Sequence, residues 1–148
     1  MSNASPLYLA AHECGHLAID PSATGIRADA DGGWTVLSTE PPLSGEELLN
    51  RQCGGVTAEI ILRYGLELGG IMAQKRDTWQ TAIGADDAFI IDRLPIPMLC
   101  AIYTRCAPLI NTVLTDIGRA RLTAIGHHLL QMSPGEEFAF SLKETHDV

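Results

Sequence analysis

The most constraining feature of this 148-residue chain is the pentapeptide His12-Glu13-Cys14-Gly15-His16, which has the pattern H-E-x-x-H. If this segment is helical, the two histidines lie about 40° apart around the helix, one turn above the other, and both imidazoles reach one metal ion. Glu13 lies on the same side, within reach of a water molecule at that ion. Cys14 points roughly the opposite way. The pattern therefore predicts a helix with a metal site on one face.

The remaining sequence predicts a single domain that is mainly α, with one small β-hairpin element. Pro6 is suited to the first turn of a helix, which Asp20-Pro21 ends. The segments on either side of Asp31-Gly32-Gly33 indicate a hairpin with a glycine-dependent turn. The predicted segments within the domain 1–148 are the H-E-x-x-H helix at about 6–20, a β segment at about 22–40, helices over about 45–132 and a short terminal element at 133–148.

Within the helical part, capping residues, glycines and prolines predict where the helices begin and end. Ser44 is a candidate cap with Glu47 three residues later, as in a capping box. We expect Gly54-Gly55 to weaken the middle of the helix that follows. Further along, the sequence predicts a glycine-rich link at 65–70, a helix over about 78–93, and two helical segments between 98 and 132 that are divided near Pro108.

Composition excludes several classes of partner. Ten Lys and Arg against eighteen Asp and Glu give a net charge of −8, and no basic run interrupts this balance. An anionic membrane or a nucleic acid would therefore be repelled on average. We expect no membrane span and no signal peptide, because the longest apolar runs fall short of the ~20 residues needed and no basic segment precedes an apolar one. Four scattered cysteines without a CxxC pair predict reduced thiols in a cytoplasmic protein.

A catalytic zinc ion usually takes three protein ligands, so H-E-x-x-H needs a partner from elsewhere in the chain. Asp87 lies on an apolar helical stripe, where an ionised carboxylate is costly unless a cation compensates it. Asp86 lies partly toward Arg93, and Glu59 is flanked by aliphatic residues. These three acids stay open as third ligands at this point. The full set of candidates is Glu46, Glu47, Glu59, Asp86, Asp87, His127 and His128.

Several motifs in order resemble the peptidase domain of the FtsH-type zinc proteases. The first, HECGH, is similar to the family's HEAGH. Downstream, "CGGVTAEIILRYG" resembles the family's LGGRAAEEIxFG helix, and "GADDAFIIDRL" resembles its GASND-L segment. Near the end, "LTAIGHHLLQMSPGEEF" is similar to the closing LLExETL and DGEE pattern. The resemblance runs from about residue 8 to 140.

The resemblance implies a helical zinc-peptidase domain that hydrolyses unfolded proteins or peptides. His12, His16 and Asp87 would hold Zn²⁺, and Glu13 would be the catalytic base. The GASND match is one residue short, which keeps Asp86 open as the ligand. This sequence contains no G-x-x-x-x-G-K-[ST] loop, and we expect no N-terminal membrane anchor; a separate ATPase is the expected partner for unfolding folded substrates.

Two other functions fit the motif. One is a catalytically silent domain that binds metal or a protein partner, although retention of Glu13 argues against a decayed site. The other is a regulatory peptidase of the ImmA/IrrE kind, which cuts a specific repressor. The E-x-x-A-N-x-F-A pattern that usually follows in that group has no match in this sequence.

Overall fold

The structure is a computed structural model that describes residues 5–80 and 85–139, and the side chain of Asp86 lies outside the described part. It is mainly helical, as predicted, with a small antiparallel sheet. In chain order the elements are α1 (Pro6–Ile19), β1 (Ala23–Ala28), β2 (Trp34–Ser38), α2 (Gly45–Tyr64), α3 (Leu66–Met72), α4 (Arg76–Trp79), α5 (Ala85–Asp92), α6 (Ile96–Ile117), α7 (Arg119–Leu130) and β3 (Glu137–Ala139).

Helix α1 has the predicted bounds and lies at the centre of the fold. The Ser5 hydroxyl accepts a hydrogen bond from the Tyr8 backbone N–H, which caps the helix, and Pro6 fills the first turn. At the other end, Asp20 adopts an extended conformation and stops the helix. Helices α2, α6 and α7 pack against α1 and enclose it. The H-E-x-x-H segment is therefore buried, as its uncharged flanks predict.

The predicted hairpin is present, but it is part of a larger sheet. Strands β1 and β2 pair antiparallel around a turn in which Gly32 has a φ of 92°. The sequence did not predict the third strand: β3 pairs antiparallel with the other edge of β1, and the strand order is β2-β1-β3. Strand β3 belongs to the predicted terminal element, of which residues 140–148 lie outside the described part. Strand β2 is thus at an edge of the sheet.

Two glycines that face each other, Gly15 of α1 and Gly54 of α2, let these helices cross at very short range. A Cβ on Gly15 would collide with the Gly54 carbonyl oxygen, and a Cβ on Gly54 would lie 2.6 Å from the Gly15 carbonyl oxygen. The prediction that Gly54-Gly55 weakens the middle of α2 misses this role. The helix continues unbroken through both glycines to Tyr64, and burial against α1 offsets their low helix propensity.

The connection from α2 to α6 differs from the prediction in two places. The expected glycine-rich link is mostly helical, because Gly65 at a φ of 86° ends α2 and α3 begins at once. Gly69 is needed inside α3 since the Tyr103 hydroxyl lies against it. The single helix expected over about 78–93 is also wrong, because α4 already ends at Trp79 and α5 begins at Ala85.

The last helical region divides at a glycine instead of at the proline. Pro108 lies inside α6, and the break falls at Gly118, whose φ of 83° an L-residue rarely adopts. By length and composition alone, α6 is long and apolar enough to cross a membrane. One side of α6 packs in the protein core through Leu99, Ile102 and Ile110. A core helix can have this length and composition without crossing a membrane.

All four cysteines are free thiols, as predicted. Burial raises the pKa of the Cys14 thiol to about 12, and the negative charge of Glu13 adds to this effect. Burial likewise raises the pKa of Cys53 to about 12. A thiol that is protonated at neutral pH is a poor metal ligand and a poor nucleophile. Cys14 and Cys53 are therefore structural residues in spite of their position at the crossing of α1 and α2.

Candidate metal centre

The two histidines of H-E-x-x-H face the same space beside α1. Their Nε2 atoms are 3.2 Å apart, and the rings meet nearly at right angles with centroids 4.8 Å apart. His12 is buried with 2% of its surface exposed, whereas His16 is partly buried. The helical spacing of four residues produces this arrangement, as the sequence predicts.

Asp87 of α5 completes a triad with the two histidines. Its Oδ2 atom lies 2.6 Å from His12 Nε2 and 3.5 Å from His16 Nε2. These residues form a group of potential metal ligands within the described part of the chain. The contact joins residues far apart in sequence, and it places a carboxylate where the third ligand was expected.

Glu59, the alternative glutamate ligand, contacts His12 through the ring nitrogen that does not face Asp87. Its Oε2 atom lies 2.6 Å from Nδ1 of His12, on the side of the ring away from Asp87. This carboxylate therefore orients His12 by accepting a hydrogen bond from Nδ1–H, which leaves Nε2 to face the centre. Glu59 is therefore outside the group of potential metal ligands, in which the acidic residue is Asp87.

The remaining acidic and histidine candidates lie elsewhere. Glu46 pairs with Arg105, and Glu47 pairs with Arg51. His128 lies against the Phe138 ring, with centroids 4.4 Å apart. His127 is on the same exposed turn of α7 and is not a member of the triad. The side chain of Asp86 is outside the described part, so its candidacy stays a prediction.

His16 is oriented by the backbone of α2 instead of by a side chain. Its Nδ1–H donates to the Arg51 carbonyl oxygen at 2.7 Å, which directs Nε2 toward His12 and Asp87. Gly55, one turn further along α2, makes room for this approach. A Cβ at Gly55 would lie 2.6 Å from Nε2 of both histidines. Sequence reasoning missed this function of Gly55, although two adjacent glycines inside a predicted helix were a usable signal.

The donor set and its spacing fit a tetrahedral cation. With metal–ligand bonds of about 2.0–2.1 Å, ligand atoms of one tetrahedral ion lie roughly 3.3 Å apart. The separations between the two Nε2 atoms, 3.2 Å, and between His16 Nε2 and Asp87 Oδ2, 3.5 Å, match this value. The distance of 2.6 Å between His12 and Asp87 is that of a direct hydrogen bond and would have to open. Two imidazoles and one carboxylate suit zinc better than magnesium or calcium, which prefer oxygen ligands.

Without a cation, a proton shared with His12 compensates the buried carboxylates. Burial alone would lower the pKa of His12, but hydrogen bonds to Asp87 and Glu59 and the charge of Glu13 raise it to about 10. Burial would raise the pKa of Asp87, yet its hydrogen bonds to the histidines hold this pKa below its usual range. The buried carboxylates of this centre therefore need a positive charge beside them, from either a proton on His12 or a cation.

Glu13 is a buried carboxylate beside the triad. Only 5% of its surface is exposed, and burial raises its pKa, while His12 and His16 act in the opposite direction. Glu13 follows His12 directly in α1 and lies three residues before His16, so the helix keeps it near both. Burial thus increases the proton affinity of the Glu13 carboxylate, as a group that takes a proton from water requires.

In comparisons with protein-family models, curated proteins and solved structures, nothing matches this chain. The resemblance to the FtsH-type peptidases accordingly stays a prediction from the motifs. Function must be argued from the groups that the fold brings together.

Proposed function

We propose that this protein is a zinc-dependent metallopeptidase that hydrolyses peptide bonds in unfolded proteins or peptides. The observation that carries the proposal is the convergence of His12, His16 and Asp87 on one point, with Glu13 buried beside them. Three protein ligands leave one position of a tetrahedral ion open, as catalytic zinc sites require. A purely structural zinc site would fill that position with a fourth protein ligand.

In the proposed reaction, each residue of the chain has a separate task. His12, His16 and Asp87 hold the ion, which when bound activates water and polarises the scissile carbonyl. The Glu13 carboxylate takes the proton of the attacking water and passes it to the leaving amine nitrogen. Glu59 and the Arg51 carbonyl keep the imidazoles in the tautomer that presents Nε2 to the centre.

The edge strand β2 is the proposed docking element for the substrate. Its neighbour in the sheet is β1, so within the described residues the other side of Trp34–Ser38 has no strand partner. An extended peptide adds to such an edge through main-chain hydrogen bonds. This mode requires an unfolded segment, which agrees with the substrates that the resemblance to FtsH-type peptidases implies.

The substitution Glu13→Gln tests the catalytic proposal. Zinc content should stay the same as in the wild type, while hydrolysis of a fluorescently labelled casein falls at least about 100-fold, the usual loss for a general base. Glu67→Gln is the matched control, because Glu67 is an exposed carboxylate on α3. Its hydrolysis rate should equal that of the wild type.

Two outcomes would overturn the proposal. If Glu13→Gln hydrolyses casein as fast as the wild type, Glu13 is not the base. If the zinc-loaded wild type cleaves neither casein nor a mixed peptide library, the protein is a silent metal-binding domain. Cleavage confined to one partner protein would instead favour the regulatory kind of peptidase.

A further inference from the structure

Arg51 combines two contacts that concern the metal centre, one from its main chain and one from its side chain. The carbonyl oxygen accepts the Nδ1–H hydrogen bond of His16. The guanidinium group, with 13% of the side chain exposed, bonds to groups from three other places in the chain: the Glu40 carbonyl at 2.9 Å, Glu47 at 2.9 Å and Asp20 at 3.4 Å. The orientation of His16 thus depends on where this residue is held.

Burial alone does not hold this part of α2. The buried residues of the helix begin at Cys53, and every residue from 45 to 52 is exposed or partly exposed. Arg51 is therefore near the end of a helical segment that has little core contact. Its guanidinium links the segment to Asp20, a buried residue at the end of α1.

The same network reaches the edge strand. Asp20 accepts hydrogen bonds from the backbone N–H and hydroxyl of Ser22, and the Ser22 hydroxyl lies 2.6 Å from that of Ser38, the last residue of β2. The Arg51 guanidinium donates directly to the Glu40 carbonyl, two residues beyond the strand. One side chain therefore connects the end of α1, the end of β2 and the helical turn that orients His16.

We propose that Arg51 is a positioning residue of the metal centre, whose side chain fixes the α2 carbonyl that orients His16 relative to strand β2. The inference rests on the metal centre of the proposed function. Arg51 does not contact the ion. It acts through His16 and through the register of the edge strand. A planar guanidinium is needed because it donates to the Glu40 carbonyl and to Glu47 in fixed directions while it forms an ion pair with Asp20, and a lysine ammonium does not reproduce this arrangement.

The test compares zinc affinity in Arg51→Met, Arg51→Lys and the wild type, using competition with a chromogenic chelator at 25 °C. Arg51→Met keeps the carbonyl that accepts from His16 but removes the guanidinium that holds it in place, which should weaken zinc binding about 10-fold, the lower end of the range for outer partners of metal ligands. Arg51→Lys should regain only part of the affinity. The absorption spectrum of bound Co²⁺ should change in Arg51→Met, since it reports the geometry of the His16 ligand. Arg63→Met is the control, because Arg63 is an exposed arginine at the other end of α2 and stacks over Tyr8.

The alternative is a purely structural role, in which the melting temperature of Arg51→Met falls while zinc affinity and the Co²⁺ spectrum do not change. That result would overturn the inference. If Arg51→Met fails to fold, Arg51→Lys and Asp20→Asn decide in the same way: weaker zinc binding supports the inference, and wild-type binding overturns it. A wild type that binds no zinc would overturn the proposed function as well, whereas tight wild-type binding with unaltered variants overturns this inference alone.

Discussion

The metal centre joins two regions that are built very differently. The histidines lie at the crossing of α1 and α2, where most of α1 from Leu9 to Leu17 is buried and glycine backbones touch. Asp87 lies on α5, in which only Ile91 is buried among the described side chains and Phe89 is 58% exposed. The first region is held by close packing, and the second is held by few contacts.

This difference indicates how the centre assembles. The imidazoles are fixed by Glu59 and the Arg51 carbonyl before any ion binds. The position of Asp87 depends on how α5 docks against α2. Arg76 contributes to this docking by donating to the carbonyls of Ile91 and Leu94 at the carboxyl end of α5. We therefore expect disruption of the crossing to affect the whole fold, and disruption of α5 to affect mainly the third ligand.

The largest effect is expected at the helix crossing. In Gly15→Ala, the new methyl group would collide with the Gly54 carbonyl and lie 2.7 Å from the Ala58 Cβ, so the two helices must separate. The free energy of unfolding should fall by about 3 kcal/mol. Gly45→Ala is the control, since a Cβ there has no atom within 4 Å, and its unfolding free energy should stay within about 1 kcal/mol of wild type. Equal behaviour of the two variants in urea titrations would show that the crossing is not tight.

The next effect concerns the contact between the two regions in the metal-free protein. The pKa of His12 is raised from 6.5 to about 10 in the folded state, so His12 contributes stability that is fully present below pH 6.5 and is lost as the pH rises to about 10. Glu13 acts in the same direction, because its pKa is also raised. Asp87 acts oppositely at acid pH: its pKa is lowered from 3.8, and its contribution disappears as the pH falls below that value.

Melting temperatures measured with a chelator present should therefore decline from pH 6.5 to 10. In Asp87→Asn the decline should be smaller and should end at a lower pH, because His12 loses the hydrogen bond that most raises its pKa. With saturating zinc, the melting temperature should instead rise as the pH increases from 5 to 7, since the ligands must lose their protons to bind the ion. A metal-free protein whose stability is flat over the alkaline range would contradict the contact between His12 and Asp87.

The smallest effect is expected for the anchor of α5. Arg76→Met removes a cation and two hydrogen bonds from the carboxyl end of the helix, which should cost about 1 kcal/mol. If that cost falls on α5 docking, zinc affinity decreases about fivefold. Lys75→Met, which changes an exposed neighbour, should leave zinc affinity unaltered. A fall in affinity shared equally by the two variants would remove Arg76 from this role.

Short-range signals predicted much of the fold and the three candidate ligands of the metal centre. The H-E-x-x-H spacing placed His12 and His16 together because helical geometry alone determines it. Pro6 and Asp20-Pro21 predicted the bounds of α1 for the same local reason. Asp87 was a candidate because a carboxylate on an apolar stripe requires compensation, which is again a property of its neighbours in sequence.

Long-range features were not predictable in this way. The contacts of His12 with Glu59 and of His16 with the Arg51 carbonyl join residues 47 and 35 positions apart, and no periodic pattern specifies them. Strands β1 and β3 pair in the sheet although they lie near opposite ends of the sequence. The division of the last helical region at Gly118 instead of Pro108 depends on tertiary packing, which holds α6 helical through its proline.

The central claim is that His12, His16 and Asp87 together hold one zinc ion, and metal content tests it most directly. Elemental analysis should be performed on zinc-loaded, dialysed wild type, Asp87→Ala and Glu59→Ala. We expect about one equivalent in the wild type, loss of the ion in Asp87→Ala, and retention with weaker affinity in Glu59→Ala. Full occupancy in Asp87→Ala, together with loss only in Glu59→Ala, would contradict the triad.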